Sequence, residues 1–441
     1  MQSDKKNIIV VSFDDCMVYW KHRDCFGLEL QTPNLDRFCD QATVFNSAYC
    51  QSPICGPSRA SFMSGRTPYE LDIHTNKIDV FDRITPIDMW SHKLRQDGYY
   101  CSSGGKVHHY YRPLRRQFHR VLYDDAQKRF GSDNIGSMDV EKIAFGGSRR
   151  GLGTVDPKDD VVFYDHQSAE SVISFLQNYN SDRPFYREVG FRSPHGPWYT
   201  PVRFKEMYDY RKFWQPKSWA EGFDETDYAR EHYPENIDGD DIRLWRKNVR
   251  NYFSSLTHGD YHFGRFWDAF QASPYAKNTV VIVLTDHGFH LGNRNRFKKT
   301  TLWEQVAGVP MMIYDPERAV RRDVHDPVAL LDVGPTALDY AGLPPLDKCQ
   351  GKSLRPLIDG GSDADRVVPT FHYDNAAIRK GQYRLIRYKD GSTELYDLDQ
   401  DYWQLRNLGR DHPAHTDMLE ALEDTCSAYG YGRAQDQAAE T

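Results

Sequence analysis

Short apolar runs alternate with helix-spaced patterns through most of the chain, which is the signature of an α/β fold. Residues 8–13 (IIVVSF) read as a buried strand that runs straight into two acids, Asp14 and Asp15. Residues 99–102 read as a strand entering the Gly104-Gly105 turn, residues 185–191 as another, and residues 279–284 (TVVIVL) as the most clearly buried one. Between them, residues 33–41, 58–63 and 332–341 have helical character. Residues 165–177 place Ala169, Val172, Ile173 and Leu176 at helical spacing. Residues 204–247 are charged and aromatic with little periodicity, which predicts an insertion near the mouth of a site. After about residue 345 the texture changes to short alternating strands (377–379, 383–388, 394–397) with Gly-containing turns, followed by a polar helix over 415–428. The expected organisation is a large α/β domain over residues 1–345 and a small α+β subdomain over residues 346–441, with an antiparallel sheet and a helix.

Composition narrows the function. A chain of 441 residues has room for two or more domains. The net charge of −7 argues against a nucleic-acid partner, which calls for a basic face. It leaves open an anionic substrate gripped by a local cluster of Arg and Lys. Eight cysteines (16, 25, 39, 50, 55, 101, 349, 426) form no Cys-x-x-Cys pair and no zinc spacing. An oxidising compartment would pair some of them and a reduced one would leave all as thiols. The apolar run at residues 8–11 is too short for the core of a signal peptide. The expectation is a cytoplasmic protein as written, or a periplasmic or secreted one once a leader has been removed. No segment is long and apolar enough to span a membrane.

Chemistry gathers in five segments of the chain. Cys55 opens the run Cys55-Gly56-Pro57-Ser58-Arg59, where a loop turns into a helix. Free backbone N–H groups and the positive dipole end make such a junction an anion site, and a thiol there is expected to be acidic and reactive. Asp14 and Asp15 end one buried strand and Asp286-His287 another. Two strands delivering hard oxygen ligands to one sheet edge suit Ca²⁺ or Mg²⁺. Lys106, His108 and His109 follow a Gly-Gly turn, and His195 follows a strand in Arg192-Ser193-Pro194-His195-Gly196-Pro197-Trp198. Arg294, Arg296, Lys298 and Lys299 follow the second acidic turn.

Cys-x-Pro-Ser-Arg followed closely by Ser64-Gly65-Arg66 resembles the signature of the type I sulfatases, and the other segments recur in that family's order and spacing. Residues 32–37 (TPNLDR), 46–49 (NSAY) and 381–398 also resemble family segments, so the likeness covers nearly the whole chain. The resemblance implies an alkaline phosphatase-like fold, a mixed, mostly parallel sheet sandwiched by helices. It implies that Cys55 is oxidised to formylglycine by a formylglycine-generating or sulfatase-maturating enzyme, the aldehyde hydrate serving as nucleophile. It assigns one divalent cation, calcium by family habit, to Asp14, Asp15, Asp286, His287 and the modified residue 55. His287 stands where many members have Asn, as in the iduronate-2-sulfatase-like branch. Arg59, Lys106 and Lys299 (Lys298 as fallback) would bind sulfate, His109 or alternatively His108 would polarise the nucleophile, and His195 would serve as general acid. His108, Arg192, Trp198, His290, Arg294 and Arg296 flank these segments and are candidates to grip a sulfated, uronate-containing saccharide. One departure is Gly56, where Ala or Thr is usual. Rival readings are a phosphonate monoester or phosphodiester hydrolase of the same superfamily, a non-catalytic sulfoglycan-binding protein, and a conventional cysteine hydrolase.

Overall fold

A computed structural model describes residues 5–109, 114–125, 130, 139–144 and 148–430. In chain order its first ten strands are β1 (Asn7–Asp14), β2 (Thr43–Tyr49), β3 (Tyr100–Gly105), β4 (Asp139–Ala144), β5 (Ser148–Gly153), β6 (Phe185–Pro194), β7 (Thr279–Thr285), β8 (Gly308–Tyr314), β9 (Arg322–Val324) and β10 (Val328–Ala329). All but β4 and β5, which form a separate hairpin, join one sheet in the order β10-β2-β8-β7-β1-β6-β3, with β9 also on β2. β7, β1, β6 and β3 are mutually parallel, whereas β8 runs antiparallel to both its neighbours. The sheet is therefore mixed and mostly parallel.

Strand alternation explains why helices cover both faces. Ile9, Val11 and Phe13 of β1 join Val281 and Val283 of β7 in one core, under the helices Pro33–Cys39, Tyr164–Asn178 and Ile242–Gln271. Ile8 and Val10 join Val280, Ile282 and Leu284 in the other, under the helices Cys55–Ser64, Trp90–Gln96 and Val333–Tyr340. A strand buried on both faces reads as an unbroken apolar run, which is why β1 and β7 stand out in the sequence.

Two segments differ from the sequence-based expectation. The helix predicted over 58–63 begins at Cys55 and runs to Ser64, with every residue buried. Burial on all sides removes the apolar stripe that marks a helix start. The stretch 204–247 is more regular than its lack of periodicity predicts. It contains the helices Val202–Glu206 and Asp227–His232 and ends inside the longest helix, Ile242–Gln271. That helix lays Trp245, Val249, Tyr252, Phe253, Leu256, Phe263 and Trp267 on the sheet, an apolar stripe that continues well beyond residue 247.

The C-terminal sheet is antiparallel, β11 (Val367–His372), β12 (Asn375–Lys380), β13 (Tyr383–Arg387) and β14 (Thr393–Asp397) in sequence order. One face packs Ala377, Ile386 and Tyr396 on Leu302 and Trp303 of the large unit. The other packs Phe371, Ile378, Leu385 and Leu395 under Met418 and Leu422 of the helix His415–Ala428. Among the described residues no helix is long and apolar enough to cross a membrane.

Candidate active site

Because β7, β1, β6 and β3 lie side by side and parallel, they release their chains at one sheet edge. The residues just beyond those ends are Asp286-His287, Asp14-Asp15, His195 and Lys106 to His109. Ligands of open parallel sheets bind at this edge. A straight strand would send two consecutive carboxylates to opposite faces. Here the register shifts between Ser12 and Asp14, and Asp15 takes φ +62°. Tyr252 of the long helix holds this bend, its hydroxyl donating to Asp15 O at 2.7 Å and accepting from Met17 N at 2.9 Å.

Cys55, the first residue of its helix, is fully buried among these groups. Its Sγ lies 2.8 Å from Lys299 Nζ, 3.2 Å from His287 Nε2 and 3.9 Å from Asp15 Oδ1. Lys299 also pairs with Asp15 at 2.6 Å, and Lys106 pairs with Asp14. Arg59, one helical turn after Cys55, donates from Nε to Asp286 Oδ2 at 2.9 Å. Its other nitrogens donate to Lys106 O (2.7 Å), Val107 O (3.0 Å), Phe13 O (3.0 Å) and Ser12 Oγ (3.2 Å). One guanidinium thus ties together the ends of β1, β3 and β7.

The electrostatics are tightly balanced. Burial works to raise Asp14, yet Lys106, His195, Arg59 and Lys299 hold its carboxyl well below the usual range. Asp15 is likewise lowered to about 2, by His195, Lys299 and His287 acting against burial. The thiol of Cys55 does not follow the expectation of an acidic cysteine. Burial, with Asp14 and Asp286 nearby, pushes it up to about 12 despite Lys299 and Lys106. The helix end cannot offset so complete a loss of water.

The donor set fits a hard divalent cation. His287 donates from Nδ1 to Gly288 O at 2.9 Å, which leaves Nε2 as an acceptor. That acceptor faces Asp15 Oδ1 at 3.4 Å and Asp286 Oδ1 at 3.8 Å, acceptors themselves. Asp15 Oδ1 already accepts from Lys299 Nζ at 2.6 Å, and Asp286 Oδ1 from the N–H groups of Asp15 (3.1 Å) and His287 (3.0 Å). Carboxylate oxygens nevertheless have lone pairs to spare for a cation, and an imidazole whose second nitrogen is fixed on a carbonyl is typical of a ligand. Ligand atoms of Asp14, Cys55, Asp286 and His287 all lie within 4.8 Å of one another, as do those of Asp14, Asp15, Cys55 and His195. Three carboxylates against Arg59, Lys106 and Lys299 come to zero formal charge. A divalent ion would leave the pocket positive, as an anionic ester requires.

The remaining sequence candidates divide. A Cβ built on Gly56 would sit 3.5 Å from His109 Cγ, so His109 stands at the Cys55 helix. His108 turns the other way, its Nε2 3.1 Å from Tyr123 Oη. His195 donates from Nδ1 to Gly196 O at 2.5 Å, and its Nε2 lies 3.8 Å from Asp15 Oδ2. Arg192 stacks over Tyr199 at 5.5 Å beside it. Trp198 is buried, its indole N–H donating to Pro194 O at 2.8 Å, and so shapes the loop that carries His195. His290 is buried between Thr301 Oγ1 (2.8 Å) and Asn293 Nδ2 (2.7 Å). Arg294 and Arg296 are not brought to the Cys55 cluster. Both close on buried Glu225, at 2.7 and 2.8 Å, and stack on Trp303, forming one wall of a neighbouring cavity of about 460 Å³. Lys298 donates to Pro234 O at 2.7 Å, away from Lys299.

Sequence reasoning passed over Asn76, whose Oδ1 accepts from Gly56 N at 2.8 Å. It also passed over Asp165, which accepts from the backbone N–H groups of Arg192 (2.5 Å) and Ser193 (3.1 Å) ahead of His195. Neither carries a local signal, since an Asn in a loop and an Asp opening a helix are common in any chain.

A buried cysteine, a set of groups that could hold a cation and three fixed positive side chains meet at one sheet edge. Comparisons with known proteins identify the family. Residues 6–343 match the sequence model of the sulfatase family, and residues 292–429 match that of the N-sulphoglucosamine sulphohydrolase C-terminal region. A sulfatase of Formosa agariphila is 28% identical over 430 residues, covering 90% of this chain and 82% of its own. The structure of BT4656 in complex with its substrate D-glucosamine-2-N,6-O-disulfate superposes with a TM-score of 0.76 at 19% identity, covering 97% of this chain and 99% of the other. The phosphonate monoester hydrolase of Agrobacterium radiobacter superposes with a TM-score of 0.74 at 17% identity, covering 98% and 96%. The chain belongs to the sulfatase family, sulfuric ester hydrolases of the alkaline phosphatase superfamily.

Proposed function

We propose that this enzyme removes sulfate from a sulfated saccharide, using a formylglycine made from Cys55 and a calcium ion, with magnesium as the alternative. The observation that carries this reading is the convergence of Cys55, three buried carboxylates and three fixed cations at one sheet edge. Asp14, Asp15, Asp286 and His287 would hold the ion, which when bound supplies Lewis-acid charge to the sulfate oxygens. The modified residue 55 supplies an oxygen nucleophile where the raised thiol offers little thiolate. Conversion of Cys55 requires a maturating enzyme as a partner.

The protein's own residues do the rest. Lys106 and Lys299 neutralise non-bridging oxygens, and Arg59 holds Asp286 and the strand ends so that those charges need not reorganise. His109 orients the nucleophile beside Gly56. Lys299, charged beside Asp15, hands a proton to the departing sugar oxygen, and His195, which burial lowers to about 3, takes that role only after gaining a proton of its own.

The test measures sulfate release from defined sulfated oligosaccharides, with residue 55 assayed by mass spectrometry. Activity should track the formylglycine fraction, vanish in Cys55→Ala and fall on chelation. Turnover by protein lacking formylglycine would overturn the mechanism. Faster hydrolysis of phosphonate monoesters than of every sulfate ester tried would favour the second reading, which the phosphonate monoester hydrolase neighbour keeps in view.

A further inference from the structure

The hairpin joining β11 and β12 turns through two residues, Tyr373 and Asp374, between the paired His372 and Asn375. Tyr373 takes φ +50°, a conformation that tight hairpin turns normally assign to Gly or Asn. It is also 49% exposed, although a large aromatic gains by burial. A strained, exposed tyrosine persists only where its surroundings fix it. Asp374 pairs with Lys389 at 2.7 Å, and Asn375 Nδ2 donates to Tyr233 Oη at 3.1 Å. The Tyr233 hydroxyl in turn lies 3.2 Å from His372 Nδ1.

The hairpin is rigidly registered against the segment that carries Cys55. Phe371 N donates to Gln51 O at 3.0 Å, Thr370 Oγ1 to Cys50 O at 2.8 Å, and Gln51 Nε2 to Pro369 O at 3.3 Å. Tyr373 lies two residues beyond Phe371, and Cys55 four beyond Gln51. A second wall rises from the loop carrying Asn76, which receives the N–H of Gly56, the neighbour of Cys55. Two residues earlier in that loop, the ring of His74 faces Tyr373, with centroids 6.5 Å apart and planes within 29°. His74 is backed by Tyr69 at 4.9 Å. Both rings thus belong to segments hydrogen-bonded to the stretch that carries Cys55, one before it and one just after.

We propose that Tyr373, with His74 beside it, forms a subsite that stacks against a sugar ring of the substrate and so selects saccharide sulfates. The inference rests on the saccharide reading given above. An aromatic face is matched by the apolar C–H face of a pyranose, and two anchored rings hold it at small conformational cost. Strain at Tyr373 is then retained because the ring must stand clear of the sheet.

The experiment compares the mature enzyme with Tyr373→Gly, Tyr373→Phe and Tyr373→Trp on sulfated glucosamine–uronate disaccharides, with inhibition by inorganic sulfate measured in parallel. Tyr373→Gly is expected to lower kcat/KM at least tenfold, chiefly through KM, and to leave sulfate inhibition unchanged. The aromatic variants should stay within about threefold of the parent. Because glycine relieves the backbone strain, the thermal midpoint of Tyr373→Gly should be no lower than that of the parent. Undiminished kcat/KM in Tyr373→Gly would overturn the subsite while leaving the saccharide reading intact. A parent enzyme that hydrolyses a simple aryl sulfate but none of the disaccharides would overturn both.

Discussion

Arg59 offers the sharpest test of how the site is held. Its guanidinium is 1% exposed and makes five donations, one to Asp286 and four to neutral acceptors on the ends of β1 and β3. Arg59→Met keeps most of the volume and removes the charge. Breaking a buried ion pair from one side costs about 3–5 kcal/mol. Each stranded acceptor adds about 1–3 kcal/mol unless water reaches it. The expected loss is therefore about 5 kcal/mol or more, against a whole-domain stability of about 5–15 kcal/mol. Arg59→Lys keeps the charge but has at most three donors in a different geometry, so about 2–4 kcal/mol is expected. Urea unfolding followed by tryptophan fluorescence and circular dichroism measures both. Excess calcium should stabilise Arg59→Met more than the parent, because an ion among Asp14, Asp15 and Asp286 replaces part of the missing charge. An Arg59→Met protein within about 1 kcal/mol of the parent, or one indifferent to calcium, would refute the assignment of Arg59 as the clamp of this edge.

Other expectations follow from the same geometry. Burial lowers His22 and His372 to about 4 and His258 to about 3, so all three stay neutral in the fold. The unfolded chain takes up these protons first, so stability is full above about pH 6.5 and is lost as pH falls toward 4, by up to about 3 kcal/mol per imidazole. Asp260, raised to about 6 by burial, works in the opposite sense, and a melting temperature that climbs from pH 6.5 to 5 would show that it dominates. Gly190→Ala would set a Cβ 2.1 Å from the backbone of Lys106, forcing β3 and β6 apart. The soluble yield should collapse or the melting temperature fall steeply, and a near-parental melt would show that the strand ends can give way. Glu225→Gln should cost about 3–5 kcal/mol in denaturant unfolding by leaving Arg294 and Arg296 buried against each other. A change below about 1 kcal/mol would mean that the guanidinium groups escape to solvent.

Much of the fold was legible because burial on both faces writes itself into composition. β1 and β7 read as apolar runs, and each ended visibly in acid. The C-terminal sheet was legible through alternation, since each of its faces packs on a different cluster. Less legible were β2, whose short mixed stretch TVFNSAY gives neither period cleanly, and the helix Ile242–Gln271, whose stripe is interrupted by buried His258, Asp260 and His262. Two positive residues close to Lys299 suggested substrate contacts at Arg294 and Arg296, and no local pattern reveals that Glu225, some seventy residues earlier, takes up both.

By itself the sequence determined the chemical alphabet of the site: a cysteine at a helix start, acids at the ends of buried strands, and lysines and histidines after tight turns. Those signals are local, because strand termini and helix starts constrain the residues next to them. Only the tertiary structure decided which of these residues meet. Four parallel strands in the order β7-β1-β6-β3 bring residues far apart in the chain to one edge, and the bend at Asp15 turns two neighbouring carboxylates to one side. The same packing set the ionisation of Cys55, since the extent of its burial depends on everything folded over it. The helix N-terminus that the sequence announces favours an acidic thiol, and the loss of water that only the assembled fold imposes overrides it.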